Sequence, residues 1–290
     1  MKKRLRSILL LCAAVVLVLN GGLYAVRELA PARELTQHTE VHFIDVGQGD
    51  AALLLSGGQA VLVDAGMPES GSAVVRYLQD LGVTELYAAV ATHPHADHIG
   101  GMAEVIEAFP VGHFFMGQET ANTSSFSRML DALEARGVTP TIPSPGDELP
   151  LASGASLLFL GPDEDVPGTD MNNRSLITLF RAGAQDVLLM GDAEAAAEKS
   201  LLAHYPLLRC DILKVGHHGS DSSSSPAFLA AVQPSVAVIS CGADNKYGHP
   251  SPQTLENLSQ ANTTEIHITA EEGSVVIPLE PSKSSKENAA

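Results

Sequence analysis

The segment Ala91-Thr92-His93-Pro94-His95-Ala96-Asp97-His98-Ile99-Gly100-Gly101 places three imidazoles and a carboxylate within six residues. It follows directly on the apolar run Leu86 to Val90, which reads as a buried strand, and ends in a glycine pair that reads as a turn into a helix. In extended backbone His93 and His95 project to the same side. Asp97 and His98, past a bend, can face a second point a few ångströms away. Imidazole with carboxylate is ligand chemistry for zinc, manganese or iron, and a shared carboxylate or hydroxide can hold two such ions. Surface histidines of a polar loop would have no reason to cluster at the carboxyl end of a buried strand.

Three further segments carry residues of the same kind. Asp192 sits at a strand-to-helix turn in Met190-Gly191-Asp192, where a carboxylate serves either a metal or a helix N-terminus. His217 and His218 end the strand Ile212 to Val215. Asn245, Tyr247 and His249 lie in a loop rich in glycine and proline. From that loop the Tyr247 hydroxyl and the His249 ring can donate hydrogen bonds to a developing oxyanion or phosphate oxygen, or simply hold the loop. Asp45, Gln48 and Asp50 bracket an earlier turn and read as supporting residues. Asp64, at a strand end, is placed to orient the metal loop.

The His-x-His-x-Asp-His motif resembles the metal signature of the metallo-β-lactamase superfamily. Together with Phe43-Ile44-Asp45-Val46-Gly47-Gln48-Gly49-Asp50-Ala51, Met190-Gly191-Asp192, Leu213-Lys214-Val215-Gly216-His217-His218-Gly219-Ser220 and Asn245-Lys246-Tyr247-Gly248-His249-Pro250, it is similar to the hydrolase domain of ComEC-type DNA-internalisation proteins. The resemblance runs from about Glu40 to Pro278 and implies an αββα sandwich of class α/β (α+β) holding two divalent ions, zinc first and manganese second. It implies that Asp192 bridges the ions and that one of His217 and His218 is a ligand of the second. We take His217 as that ligand, with His218 on the opposite side, packed or touching substrate. The implied metal set is then His93, His95, Asp97, His98, Asp192 and His217, and the catalytic set is Asp97, Tyr247 and His249. The superfamily at large adds a further histidine before the bridging aspartate. Here the only histidine in that interval is His113, within an apolar strand and read as a core or edge residue, while the expected position holds Asn172 and Asn173. ComEC-type sequences likewise show asparagine there. The first ion would then have His93, His95, Asp192 and water in a more open site, and His249 could be recruited to it.

Alternating short strands and helices must position these groups. Glu40–Val46, Ala51–Leu55 and Ala60–Asp64, punctuated by Gly47-Gln48-Gly49 and Gly57-Gly58, predict an antiparallel meander. Helical spacing at Ser72–Leu81, Met102–Phe109, Phe126–Arg136, Ala193–Ala203, Ser225–Val232 and Pro252–Ser259 alternates with strands, and Pro140 to Pro150 reads as a loop. Residues 40–280 form the hydrolase domain, 28–39 a linker and 281–290 a polar tail.

The chain of 290 residues is long enough for one such domain and carries a formal net charge of −17. Six of the 17 basic residues fall in the first 33 positions, so the remainder holds 11 basic and 33 acidic residues, a balance that repels long nucleic acid. Met1 to Arg6 is basic and Ser7 to Val26 is mostly apolar, the pattern of a signal or anchor segment (residues 1–27) with the catalytic part outside the cytoplasm. An uncleaved anchor fits better than secretion, because Leu23-Tyr24-Ala25 is a poor cleavage site. Cys210 precedes one predicted strand and Cys241 follows the next, too far apart for a disulfide if those strands are parallel neighbours.

Two ions at such a site lower the pKa of a shared water toward neutrality and so supply a hydroxide without a serine or cysteine. The expected activity is that of an extracytoplasmic dinuclear hydrolase, a phosphodiesterase or nuclease by resemblance. The alternatives are a hydrolase of a small ester, amide or phosphoester, and a metal-binding module without turnover. The expected partners are a small-molecule or nucleic-acid substrate and a membrane. The chain suggests no protein partner.

Overall fold

The computed structural model describes residue 35 and residues 38 to 280, except 164, 165, 167 to 169 and 262. The expected anchor, most of the linker and the polar tail lie outside the described residues, among which no helix is long and apolar enough to cross a membrane.

Two seven-stranded sheets form among the described residues. The first contains β1 (Glu40–Phe43), β2 (Ala52–Ser56), β3 (Gln59–Val63), β4 (Leu86–Ala91), β5 (Val111–Met116), β6 (Pro140–Thr141) and β14 (Val275–Pro278), in the order β14-β1-β2-β3-β4-β5-β6. The second contains β7 (Glu148–Pro150), β8 (Ser156–Gly161), β9 (Ile177–Ala182), β10 (Gln185–Leu189), β11 (Ile212–Lys214), β12 (Val236–Ile239) and β13 (Glu265–Ile268), in the order β13-β12-β11-β10-β9-β8-β7. The meander β1-β2-β3 is antiparallel as the turn glycines predict, and β3-β4-β5 and β10-β11-β12-β13 run parallel.

Alternation along the strands divides the apolar residues between three layers. Val41, Phe43, Leu54, Val61 and Val90 face Phe159, Phe180, Val187, Leu189 and Val238 between the sheets. Leu53, Leu62 and Ala89 point the other way, onto α1 (Gly71–Asp80), α3 (Met102–Ala108) and α4 (Ser124–Arg136). Leu188, Leu213 and Ala237 likewise cover α5 (Ala195–His204), α6 (Pro226–Val232) and α7 (Pro252–Gln260). The result is the expected αββα sandwich. Each fully buried phenylalanine, such as Phe43 or Phe180, is worth about 3–5 kcal/mol against alanine.

Three local differences from the sequence reading have physical causes. The metal loop contains its own short helix, α2 (Ala96–Ile99), and the glycine pair after it keeps helical backbone angles rather than turning. The glycines are needed for closeness: a Cβ on Gly100 would collide with the Pro68 nitrogen, and one on Gly101 with the Ala65 carbonyl. The stretch from Pro140 to Pro150 contributes an edge strand to each sheet, β6 and β7, although its prolines suggested only a loop. His113 stands exposed on β5, its ring against Tyr87 at 5.3 Å. The parallel pairing of β11 with β12 leaves Cys210 and Cys241 at opposite strand ends as buried free thiols.

Candidate metal centre

The carboxyl ends of β4, β10, β11 and β12 meet at one rim, the place where open parallel sheets present their ligands. From β4 come His93 and His95, then Asp97 and His98 on α2. The loop after β10 brings Asp192, and the turn after β11 brings His217 and His218. The loop after β12 brings Tyr247 and His249. His95, Asp97, Asp192, His217, His218, Tyr247 and His249, with Gln48, Ala96 and Asn172, line an open cleft of about 340 Å³, and His93 and His98 lie buried behind it.

Asp192 is buried at the centre, and its two oxygens face different groups. Its Oδ2 lies 3.6 Å from His93 Nε2, whose ring meets His95 Nδ1 at 3.0 Å. Its Oδ1 lies 3.1 Å from His98 Nε2 and 3.4 Å from His218 Nε2, which in turn is 3.4 Å from Asp97 Oδ2. Asp192 does not cap the following helix: Glu194 occupies the N-cap of α5, and the Asp192 backbone N–H donates to Ser175 Oγ.

These spacings and the donor chemistry suit a cation. Ligands at about 2.0–2.2 Å around a tetrahedral ion stand about 3.3–3.6 Å from one another. His98 Nε2, His218 Nε2 and Asp192 Oδ1 are buried and have no hydrogen-bond partner, although they crowd together. Orphaned donors and acceptors of this kind are expensive unless something fills the space between them. Among the described residues two sets of donor atoms are compact enough to hold an ion: His93, His95 and Asp192, and Asp50, His98, Asp192 and His218.

The surrounding charges fix the rings. Asp64, at positive φ, accepts the Thr92 backbone N–H at 2.9 Å and the Thr92 hydroxyl at 2.7 Å. Its Oδ2 also meets His98 Nδ1 at 2.8 Å, which turns Nε2 to the centre. Burial alone would lower the His98 pKa, but the Asp192 and Asp64 carboxylates override it and hold the ring well above its ordinary value. Burial works against the His218 charge in the same way, and Asp192 and Asp50 raise it to about 10. Burial pushes the Asp97 carboxyl up, yet the His218 ring 3.4 Å away and the His98 charge bring it to about 2.

His217 and His218 stand differently from expectation. His218 is the buried ring that joins Asp97, His98 and Asp192, while His217 is part-exposed on the cleft wall with its Nε2 3.8 Å from Asp192 Oδ2. Both residues have left-handed backbone angles (φ 49° and 54°), so the alternation of a strand does not continue through them and both rings reach the cleft. Sequence reasoning also gave no part to Lys214 or Glu194. Lys214 is buried, with Nζ 2.8 Å from Asp50 Oδ2, and Asp50 Oδ1 lies 3.3 Å from His218 Nδ1. A lysine inside a buried strand was the available signal. Glu194 accepts hydrogen bonds from Ser222 Oγ and Asn173 Nδ2 and reaches His217 Nδ1 at 3.0 Å.

The remaining residues divide between the cleft and its supports. Gly49 takes a positive φ and backs onto the Asp97 carbonyl, where a Cβ would collide, and the Asp50 N–H donates to that same carbonyl. Asp45 closes its own turn onto the Gly47 N–H, while Gln48 Oε1 accepts the Gly242 N–H and Gln48 Nε2 is buried without a partner. Asn173 Oδ1 accepts the N–H groups of Glu194 and Ala197 and so supports α5. Asn245 ties the last loop, donating to the Gly242 and His249 carbonyls and accepting from the Tyr247 and His249 N–H groups. The Tyr247 and His249 side chains are free of that work. Tyr247 stacks on His249 at 5.6 Å, His249 stacks on His218 at 6.2 Å, and His249 Nδ1 is buried without a partner.

This fold and this rim define a metallo-β-lactamase-fold hydrolase. Residues 44–243 match the Metallo-beta-lactamase superfamily pattern, and the chain belongs to that superfamily. It is similar to ComE operon protein 3 of Bacillus subtilis (29% identity, 83% of this chain and 33% of the relative). It is also similar to Competence protein ComA of Neisseria gonorrhoeae (30% identity, 94% of this chain and 38% of the relative). The chain thus spans about a third of the length of these relatives. The fold is shared with the metallo-β-lactamase fold protein YhfI of Bacillus subtilis (13% identity, TM-score 0.54, 83% of this chain and 99% of the other).

Proposed function

We propose that the chain is an extracytoplasmic, dinuclear metal-dependent phosphodiesterase. One observation carries the reading: the buried Asp192 turns one oxygen to His93 and the other to His98 and His218. His93, His95 and Asp192 would hold the first ion, and His98, Asp192 and His218 the second, with Asp97 rather than Asp50 as its further carboxylate because Asp50 is paired with Lys214. When bound, the ions supply Lewis acidity and a water-derived nucleophile at neutral pH. Asp64 orients His98, and the Lys214–Asp50 pair orients His218 and balances its charge. Tyr247 and His249, on the open side, meet the substrate.

A relative named as a competence protein supports a nucleic-acid substrate, whereas among the described residues no lysine or arginine lines the cleft, and the chain is acidic. Those two features favour short or weakly held phosphodiesters, and they keep a small phosphoester as the second reading. Zinc- or manganese-restored protein should hydrolyse bis(p-nitrophenyl) phosphate and short single-stranded oligonucleotides in preference to a monoester, a carboxylic ester or a β-lactam. Turnover confined to monoesters or β-lactams would reject the assignment.

The charge-flanked apolar segment at 7–26 supports placement of the domain outside the cytoplasm. Protease added to intact spheroplasts should cut the domain from the membrane fraction, and full protection would overturn the topology. The rim loop separates catalysis from scaffolding. Because Asn245 rather than the Tyr247 and His249 side chains ties the loop, Tyr247→Phe or His249→Ala should lower kcat by about 10²-fold, the usual effect of one oxyanion donor, with metal content and melting temperature unchanged. Loss of one metal equivalent in His249→Ala would instead make His249 a ligand.

A further inference from the structure

We infer that His217, oriented by Glu194, is the third imidazole of the first metal position and takes the place of the histidine that Asn172 replaces. The inference rests on the dinuclear reading above and adds a donor to one of its two positions.

The tautomer of His217 follows from its neighbours on both sides. Its Nδ1 faces Glu194 Oε1 at 3.0 Å, the same oxygen that accepts the Ser222 hydroxyl, and lies 3.2 Å from Ser222 Oγ, whose own proton goes to Glu194. Nδ1 therefore carries the ring proton. On the other side Nε2 meets the Asn172 amide nitrogen at 3.4 Å, a group that only donates, so Nε2 presents a lone pair. A carboxylate behind a histidine whose far nitrogen offers a lone pair is the arrangement that orients metal-binding imidazoles.

That lone pair lies in the right quarter of the cleft. It is 3.8 Å from Asp192 Oδ2, the oxygen that lies 3.6 Å from His93 Nε2, whereas His218 faces the other oxygen. The two left-handed residues in succession produce this split, sending His217 to the first group and His218 to the second. Asn172 stands beside His217, with Oδ1 buried and without a partner and Nδ2 shared between Glu194 and His217. A cation entering here would take the lone pair that the amide now occupies, leaving Asn172 Nδ2 to Glu194.

The test is titration of metal-free protein with zinc(II) and with cobalt(II), read by calorimetry and by the visible cobalt spectrum. The parent should take two equivalents. His217→Asn, chosen because asparagine tolerates left-handed backbone, should keep one tight equivalent and bind the other about 10- to 100-fold more weakly. Glu194→Gln, which leaves the histidine in place, should weaken the same equivalent by about 10-fold. Adding Asn172→His to His217→Asn should restore it. If His217→Asn and Glu194→Gln titrate like the parent while losing turnover, His217 touches substrate and the inference fails with the dinuclear reading intact. If the parent itself takes only one equivalent, both fall together.

Discussion

Asp192→Asn should leave the chain with no more than one metal ion and at least about 10³-fold less turnover on a phosphodiester. The substitution keeps the side chain's volume in a site where Asp192 is buried, but it removes the charge and one of the two oxygens that face the histidine groups. Metal-assisted charge stabilisation is worth several kcal/mol, and each 1.36 kcal/mol is tenfold in rate. The measurements are metal content by elemental analysis and kcat with metal in excess. Two retained ions with normal turnover would remove the bridging role from Asp192.

Lys214→Met should have the largest effect on stability of any single change near the site. Lys214 Nζ is buried against Asp50 and the Val215 carbonyl, so its loss strands a carboxylate away from water. Burial alone would raise the Asp50 pKa, and the Lys214 and His218 charges hold it well below the ordinary carboxylate range. Breaking a buried pair from one side costs about 3–5 kcal/mol, which in a domain of this size lowers Tm by about 6–20 °C. Adding Asp50→Asn should recover most of the loss, because the stranded charge goes with it. A single variant that melts within about 2 °C of the parent would show that the pair contributes nothing net.

The sequence yields the sandwich and most of the rim because each was encoded locally. Apolar alternation set the strands, and His93, His95, Asp97 and His98 lie so close in the chain that a strand followed by a bend brings them together. Asp64 was legible for the same reason, ending a strand beside the one that carries the loop. The assignment of His217 and His218 was not legible, since strand alternation predicts opposite sides and only the two positive φ values reveal that both rings enter the cleft. Glu194 and Lys214 escaped notice because their partners, His217 and Asp50, are distant in sequence and meet them only through tertiary packing. The edge strands β6 and β7 were hidden by prolines, which an edge tolerates better than a sheet interior.

The donors come from both sheets: His93 to His98 follow a strand of the first, and Asp192, His217 and His218 follow strands of the second. A cation held by donors of both would act as a clasp across the two halves of the sandwich. Ligand linkage makes that clasp worth about 2.7 kcal/mol when free metal stands at 100 times its dissociation constant. The durability of the fold would thereby be tied to the metal supply of its compartment. Chelation should first register as faster proteolysis of the whole domain, in chains whose catalytic groups are chemically intact.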